Sequence, residues 1–261
     1  MRQVLAALDR SPAAKPVLAA ARALAAFLGV QVTALHVRCD GSEVPRRLAA
    51  DAGVPLRVID GDVVARLVEA AEADEVAVLV IGARRIPTDP RPLGATAVTV
   101  ATTVTKPVLV VPPQADPHVS YTRVLAPLEG SVATSLAPRP LIELAARVGI
   151  DIVVLHCLGP QTLPAFTDQP QHEHAIWASE FLARHCPWGN SAVRFEARLG
   201  RSEDLVPIVA REVGCDLIVL GWSQMFTPGR ARVVRATLER SSVPVLLVSV
   251  RALTTVAGAA G

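Results

Sequence analysis

A carboxylate, a glycine and three arginines in the first half of the chain are residue types that commonly contact ligands. Asp9 follows an apolar run, and its carboxylate could accept hydrogen bonds from a ribose hydroxyl or an adenine amino group. Gly94 opens a helical pattern, and the free amide groups at a helix start favour phosphate. Arg84, Arg85 and Arg91 precede that glycine and would add positive charge. By themselves, these residues predict only a plausible ligand pocket.

Each of these positions also has a purely structural interpretation. Asp9 is equally suited to capping the helix that follows it. Gly82 and Gly94 fit a turn and a helix start without any ligand, and arginines of this kind more often form a solvated surface. His36 and His156, which stand at equivalent strand ends, are predicted to be hydrogen-bonded structural residues.

Metal binding and catalysis lack the motifs they require. His172 and His174 are two residues apart, which places their imidazoles on different faces of a helix, and His185 adds no known ligand spacing. The His-x-Gly-His and Ser-Gly-Gly-x-Asp-Ser loops of nucleotidylyl transferases and ATP pyrophosphatases do not occur. We therefore expect no metal site and no catalytic residue.

The chain contains an internal duplication. The segment from Val4 to Ser11 matches the segment from Val124 to Ser131 at a spacing of 120 positions. Residues 78–82 match residues 217–221 at a spacing of 139, so the second copy has gained 19 residues between these blocks. The insertion is predicted to include a Pro- and Gln-rich surface loop at 159–171.

Each copy alternates apolar runs with helical patterns, which predicts parallel strands joined by right-handed crossovers. Helices are predicted up to Gly29, over 62–73 and over 94–103. The predicted strands are 3–8, 31–37, 55–59, 76–81 and 107–111 in the first copy, and 123–128, 151–157, 192–199, 216–220 and 244–249 in the second. The predicted domains are 1–113 and 123–251, with a linker at 114–122 and a disordered tail at 252–261. In such a sheet, ligands bind beyond the carboxyl ends of the strands.

Composition agrees with an α/β protein and argues against several partners. Of the 261 residues, 51% are hydrophobic and only 3% are aromatic, so the core must consist mainly of Ala, Val and Leu. A net charge of +2, with both signs spread along the chain, calls for neither nucleic acid nor an anionic membrane. The four cysteines are far apart and the opening apolar run is short, so we expect reduced thiols and a cytoplasmic location.

Several blocks together resemble a universal stress protein domain. In the first copy these are VLAALDRS, LHV, VLVIG, the Gly94 helix and KPVLVV; in the second they are VLAPLEGS, LHC, LIVLG and VPVLLV. The resemblance implies two tandem doubly wound domains, each with a five-stranded parallel sheet of order 3-2-1-4-5 and helices on both faces. It also implies that the last strands, from Val108 to Val111 and from Val245 to Val248, pair within the chain or between chains.

Many members of that family bind ATP through a loop of the pattern G-x2-G-x9-G-S/T, from which both copies depart. In the first copy Arg85 replaces the second glycine, the loop is one residue short, and Ala95 replaces the hydroxyl residue, although Thr96 follows it. In the second copy Gln224, Ala231 and Arg232 replace the later positions. Backbone approach to phosphates relies on those glycines, so the first site is the better candidate.

The resemblance extends to individual site residues in both copies. Glu129 stands where Asp9 does, and Trp222 is predicted to cover the second site rather than to stack on a base. The full set of predicted nucleotide contacts is Ala7, Asp9, Val37, Ile81, Gly82, Arg85, Gly94, Ala95, Thr96, Pro127, Glu129, Cys157 and Gly221.

Two functions follow from the resemblance. The first is a non-catalytic stress protein that responds to ATP or a related adenine nucleotide and acts through conformation and partners, with a homodimer as one assembly. The alternative is a nucleotide-free pseudo-dimeric scaffold in which both sites are degenerate.

Overall fold

The structure is a computed structural model that describes most of the chain. It covers residues 2–38, 41–83, 93–116, 120–129, 135–159, 170–186, 193–226 and 231–250, with the side chains of 170–175 left aside. The predicted arginines Arg84, Arg85 and Arg91 lie outside these ranges, as does the predicted tail at 252–261. The side chains of His172 and His174 also lie outside the described part of the chain.

The first half contains five strands and, among its described residues, four helices. They are β1 (Gln3–Ala7), α1 (Ala14–Leu28), β2 (Gln31–Arg38), α2 (Glu43–Asp51), β3 (Leu56–Asp60), α3 (Val63–Glu72), β4 (Val76–Gly82), α4 (Ala95–Thr103) and β5 (Val108–Val111). Gly29 ends α1 in the left-handed conformation, at φ 65°, as glycine does readily. α2 is not among the predicted helices, because only Pro45 and Ala49 on it are buried and its apolar face is narrow.

The second half repeats this order. Its described elements are β6 (Arg123–Pro127), α5 (Arg139–Arg147), β7 (Asp151–Leu158), α6 (Pro170–His185), β8 (Val193–Leu199), α7 (Ser202–Glu212), β9 (Leu217–Trp222), α8 (Arg232–Arg240) and β10 (Val245–Ser249). The ten predicted strands are all present, and their ends differ from the prediction by at most two residues. The loop predicted at 159–171 is shorter than expected at its far end, because α6 already begins at Pro170.

The strands form one ten-stranded sheet of order β3-β2-β1-β4-β5-β10-β9-β6-β7-β8. Within each half all pairs are parallel and the order is 3-2-1-4-5, as predicted. The two halves meet where β5 pairs antiparallel with β10, with Leu109 opposite Leu246. The predicted pairing of the last strands therefore occurs within the chain, and β1 and β6 each lie at the centre of their own half.

Both faces of the sheet are covered, which explains why the strands are almost continuously apolar. Val4 and Ala6 face α1, whereas Leu5 faces the core that includes α3 and α4. Tyr121, in the segment that joins the two halves, packs against the first half. Its side chain is buried, and its hydroxyl donates to the Ala20 carbonyl of α1 at 3.3 Å. Among the helices that the structure describes, none is both long and apolar enough to cross a bilayer.

The thiols of Cys186 and Cys215 are free and buried, and burial raises the pKa of each to about 12. Because the thiolate is the reactive form, little of it is available near neutral pH. We expect iodoacetamide to leave both residues unmodified in the folded chain and to modify both after denaturation in urea, as measured by peptide mass spectrometry. Modification of either thiol in the folded chain at the rate of an exposed cysteine would contradict this expectation.

Candidate functional site

A cavity of about 480 Å³ lies at the carboxyl ends of β1, β2 and β4 in the first half. This is the edge at which ligands bind in open parallel sheets. Every described first-half residue predicted to contact nucleotide lines it: Ala7, Asp9, Val37, Ile81, Gly82, Gly94, Ala95 and Thr96. Arg85 falls outside the described residues. The structure thus brings together residues that are up to 89 positions apart in sequence.

Asp9 closes a turn between β1 and α1. Its Oδ1 accepts hydrogen bonds from the amide and the hydroxyl of Ser11, at 2.9 and 2.6 Å. The Ser11 hydroxyl oxygen in turn accepts from the amide of Ala13 at 3.3 Å. The predicted helix cap is therefore not direct, because the N-cap residue of α1 is Ala13 and no side chain bonds across that cap. Asp9 orients the turn while its half-buried carboxylate borders the cavity.

His36 borders the cavity with one ring nitrogen paired and one unpaired. Its Nδ1 lies 2.8 Å from the carbonyl oxygen of Leu8, so Nδ1 carries the proton and donates. Its Nε2 is buried and has no hydrogen-bond partner among the described residues. His156 makes the same bond to Leu128 in the second half, also at 2.8 Å. The predicted hydrogen bonds of both histidines are confirmed, and sequence patterns do not single out the unpaired Nε2.

The amino end of α4 forms one wall of the cavity. Gly94 is its N-cap residue, and the Gly94 amide donates to the Ala83 carbonyl at 2.8 Å, which ties the helix start to the end of β4. No side chain caps the helix and its first turn has no acidic residue. The unpaired amides of the first turn and the positive end of the helix dipole therefore favour an anion at this wall. Thr96 adds a hydroxyl there.

One wall of the cavity is apolar. Val37 from β2, Val63 and Leu67 from α3, and Val100 from α4 all line it. A flat heterocyclic base buries well against aliphatic walls of this kind, whereas its sugar and phosphates need polar groups. The cavity offers both, with the carboxylate of Asp9 on one side and the α4 amides on another.

Comparison with known proteins places the chain in a family. Residues 43–112 and 120–249 match the model of the universal stress protein family. The chain belongs to the universal stress protein family. No curated protein sequence matches it.

Solved structures share the fold along nearly the whole chain. A universal stress protein from Archaeoglobus fulgidus DSM 4304 is 15% identical, covers 95% of this chain and 98% of its own, and has a TM-score of 0.69. A functionally unknown protein from Pseudomonas aeruginosa PAO1 is 14% identical, covers 99% and 98%, and has a TM-score of 0.65. At these identities the likeness shows the fold alone.

The second half of this universal stress protein differs from the first at the equivalent site. Pro127 and Gly221 stand at the ends of β6 and β9, and Glu129 follows β6 as Asp9 follows β1. The residue after Gly221, however, is Trp222, which takes the position of Ala83 in the first half. Trp222 is only 4% exposed. Its indole meets the ring of Phe226 edge-on, with the ring centres 5.2 Å apart.

At this position the second half has a large buried side chain, Trp222, where the first half has the small side chain of Ala83 at the edge of the cavity. Ala83 and Trp222 both belong to the core on the α3 and α7 side of the sheet, so they point to the same face. The guanidinium of Arg235 lies 5.2 Å from the centre of the Phe226 ring and donates to the Phe226 carbonyl at 3.2 Å. These contacts support the prediction that Trp222 covers the second site.

Polar residues also replace the apolar wall of the second site. Cys157 and Ser202 take the positions of Val37 and Val63, and burial raises the pKa of the Cys157 thiol. Glu203 forms an ion pair with Arg201 and lies 3.8 Å from Arg232 at the start of α8. A hydrogen bond from its own backbone amide is the largest cause of the lowered pKa of Glu203. The carboxylate of Glu203 thus pairs with two arginine side chains of the second half.

A second cavity, of about 470 Å³, lies at the opposite edge of the sheet and was not foreseen from sequence. It includes the buried carboxylate of Asp216. That carboxylate accepts hydrogen bonds from the amide and hydroxyl of Thr122, both at 2.7 Å, and from the Arg123 amide at 3.2 Å. These bonds hold the start of β6 in place, so the carboxylate has a structural role there.

Proposed function

We propose that the first-half cavity binds ATP or a related adenine nucleotide, and that the protein is a non-catalytic, cytoplasmic stress-response protein that acts through conformation and partners. The supporting observation is the convergence of the eight described first-half residues predicted as contacts on one cavity. The adenine base would lie against the aliphatic walls, the ribose near Asp9, and the phosphates at the start of α4.

Binding without turnover is part of this proposal. Among the described residues, the titratable side chains that line the cavity are Asp9, Arg10 and His36. Asp9 accepts two hydrogen bonds from Ser11, and His36 donates to the Leu8 carbonyl. Asp9 is thereby engaged in shaping the turn, whereas the buried Nε2 of His36 has no partner among the described residues. The expectation of no turnover therefore rests on the sequence, which lacks the loops of nucleotidylyl transferases and ATP pyrophosphatases. Magnesium-dependent cleavage of ATP that disappears in Asp9→Ala would overturn this part.

Calorimetric titration of the full chain with ATP, ADP and AMP tests the binding. We expect one site per chain, because Trp222 is predicted to cover the equivalent site in the second half. Asp9→Asn keeps an acceptor for Ser11 but loses the charge, and we expect it to weaken binding about tenfold. The matched control is Glu129→Gln, the equivalent change in the second half, which should leave affinity within about twofold. Equal losses in both variants, or absence of binding by the wild type, would contradict the proposal.

The alternative, a nucleotide-free scaffold, is favoured by one observation. The two halves are joined into a single sheet through β5 and β10. If freshly purified protein contains no adenine nucleotide and none can be titrated in, the scaffold is the better description. A homodimer of the internal pair is a separate expectation, which light scattering after gel filtration tests.

A further inference from the structure

The side chain of Gln224 connects the two halves of the molecule. It follows β9 in the second half, yet its Nε2 donates to the carbonyls of Val104 at 2.6 Å and of Ala101 at 3.3 Å, both in the first half. Its Oε1 accepts from the hydroxyl of Ser249 at 2.6 Å. The residue is 7% exposed, so these bonds form away from competing water.

The two carbonyls belong to the carboxyl end of α4. Val104 is the C-cap residue of that helix, and Ala101 lies in its last turn. The last carbonyls of a helix have no partner within the helix and need one from elsewhere. Gln224 therefore caps α4 from a position about 120 residues further along the chain.

The backbone of Gln224 indicates that this contact has a cost. Its φ is 59°, in the left-handed region that glycine adopts readily and that other side chains disfavour. The position is also the one at which the family loop pattern has its second glycine. A glutamine here carries backbone strain that a glycine would not, and the three hydrogen bonds of its side chain offset that strain.

The other end of α4 forms the wall of the first-half cavity at which we propose that the phosphates bind. Gly94, Ala95 and Thr96 line the cavity at the start of the helix, and Val100 lines it one turn later. A helix of 9 residues is about 14 Å long and behaves as a rigid rod at that length. A shift at the capped end is therefore transmitted to the amides that face the cavity.

We propose that Gln224 is a positioning residue for the first-half site: it holds α4 from the second half, so that affinity for the nucleotide depends on the loop after β9. This role rests on the proposed nucleotide site. It gives the second half a function in binding, because that half sets the geometry of the first-half site. By linkage, nucleotide bound at α4 would also stabilise the loop that carries Gln224.

The test replaces Gln224 by methionine, which keeps the length of the side chain but has no donor. Hydrogen exchange of the ligand-free chain should show faster exchange in the peptides that cover α4. Titration with the adenine nucleotide that binds wild type most tightly should show roughly a three- to tenfold loss of affinity, as expected for losing one or two buried hydrogen bonds. Gln224→Gly, which also relieves the φ strain, should lose as much affinity while losing less stability.

Two control variants separate positioning from general destabilisation. Gln114 also donates from a side-chain amide to the end of a helix: its Nε2 lies 3.5 Å from the carbonyl oxygen of Ser241, the C-cap residue of α8. Gln114→Met removes this contact. Ser249→Ala removes one acceptor bond of Gln224 but leaves its donor bonds to α4. Both should keep the affinity within about twofold of wild type, even where the melting temperature falls.

The outcomes distinguish this role from the proposed function. If the wild type binds no adenine nucleotide, the proposed function fails, and faster exchange in α4 still reports on the cap. If the wild type binds and Gln224→Met binds within twofold of it, the positioning role is wrong. If Gln114→Met loses as much affinity as Gln224→Met, the effect is one of stability and the positioning role is also wrong.

Discussion

Ala83→Trp should lower the affinity of the first-half site for adenine nucleotides by about a hundredfold or more. The second half already carries this residue at the equivalent position, where the Trp222 indole is 4% exposed and packed against Phe226. Ala83 lines the first-half cavity and points to the same face of the sheet as Trp222 does in its own half. An indole there would occupy the space of the base, and a base that cannot be buried loses about 3 kcal/mol or more of apolar contact.

Calorimetric titration of the purified variant measures this loss. Ala83→Ser is the control, because serine adds one atom and leaves the cavity open, so it should bind within about threefold of wild type. Circular dichroism and the melting temperature show whether the tryptophan is accommodated in the fold. A folded Ala83→Trp chain with unchanged affinity would place the ligand somewhere other than this cavity.

Trp222→Ala should lower the free energy of unfolding by about 3–5 kcal/mol, the range found when a buried tryptophan is cut to alanine. Trp222 lies at the end of β9 and packs into the core formed with α7 and α8. Removing the indole leaves a cavity and deprives Phe226 of its edge-on partner. The cost is large because the neighbouring strands are fixed in the sheet and cannot move in to fill the space.

Urea denaturation followed by far-ultraviolet circular dichroism measures this effect. Trp222→Phe keeps a ring in the same place and should cost only about 1–2 kcal/mol. If the second half unfolds in a separate transition, the loss should be confined to that transition. A loss under about 1 kcal/mol for the alanine variant would mean that the indole does not fill the second site as the contacts indicate.

The repeat predicted the strands well because their signal is local. The run from Val78 to Gly82 and its counterpart from Leu217 to Gly221 are apolar throughout, as strands covered on both faces must be. The same directness explains why the predicted first-half residues meet at one cavity. Asp9 and Gly82 each come at the end of a central strand, and parallel strands place all such ends on one edge of the sheet.

Other features were not predictable, either because their local pattern is weak or because their cause lies far away in the sequence. α2 has too few buried positions to form a visible periodic pattern. Whether the Nε2 of His36 is left unpaired depends on the fold of the turn after β1, because the Leu8 carbonyl in that turn accepts the hydrogen bond from Nδ1. The loop pattern shows Gln224 only as a missing glycine, whereas its partners are the carbonyls of α4 in the other half.

By itself, the sequence determined the family, the two five-stranded units and the residues that end each central strand, since these depend on hydrophobic pattern and on repetition along the chain. Only the tertiary structure decided that the two units share one sheet within a single chain. Tertiary packing also decided that Ala83 lines a cavity while Trp222 is buried against Phe226, and that Gln224 reaches α4. These outcomes depend on which side chains meet after the chain has folded. Contacts between residues more than a hundred positions apart produce no local sequence pattern.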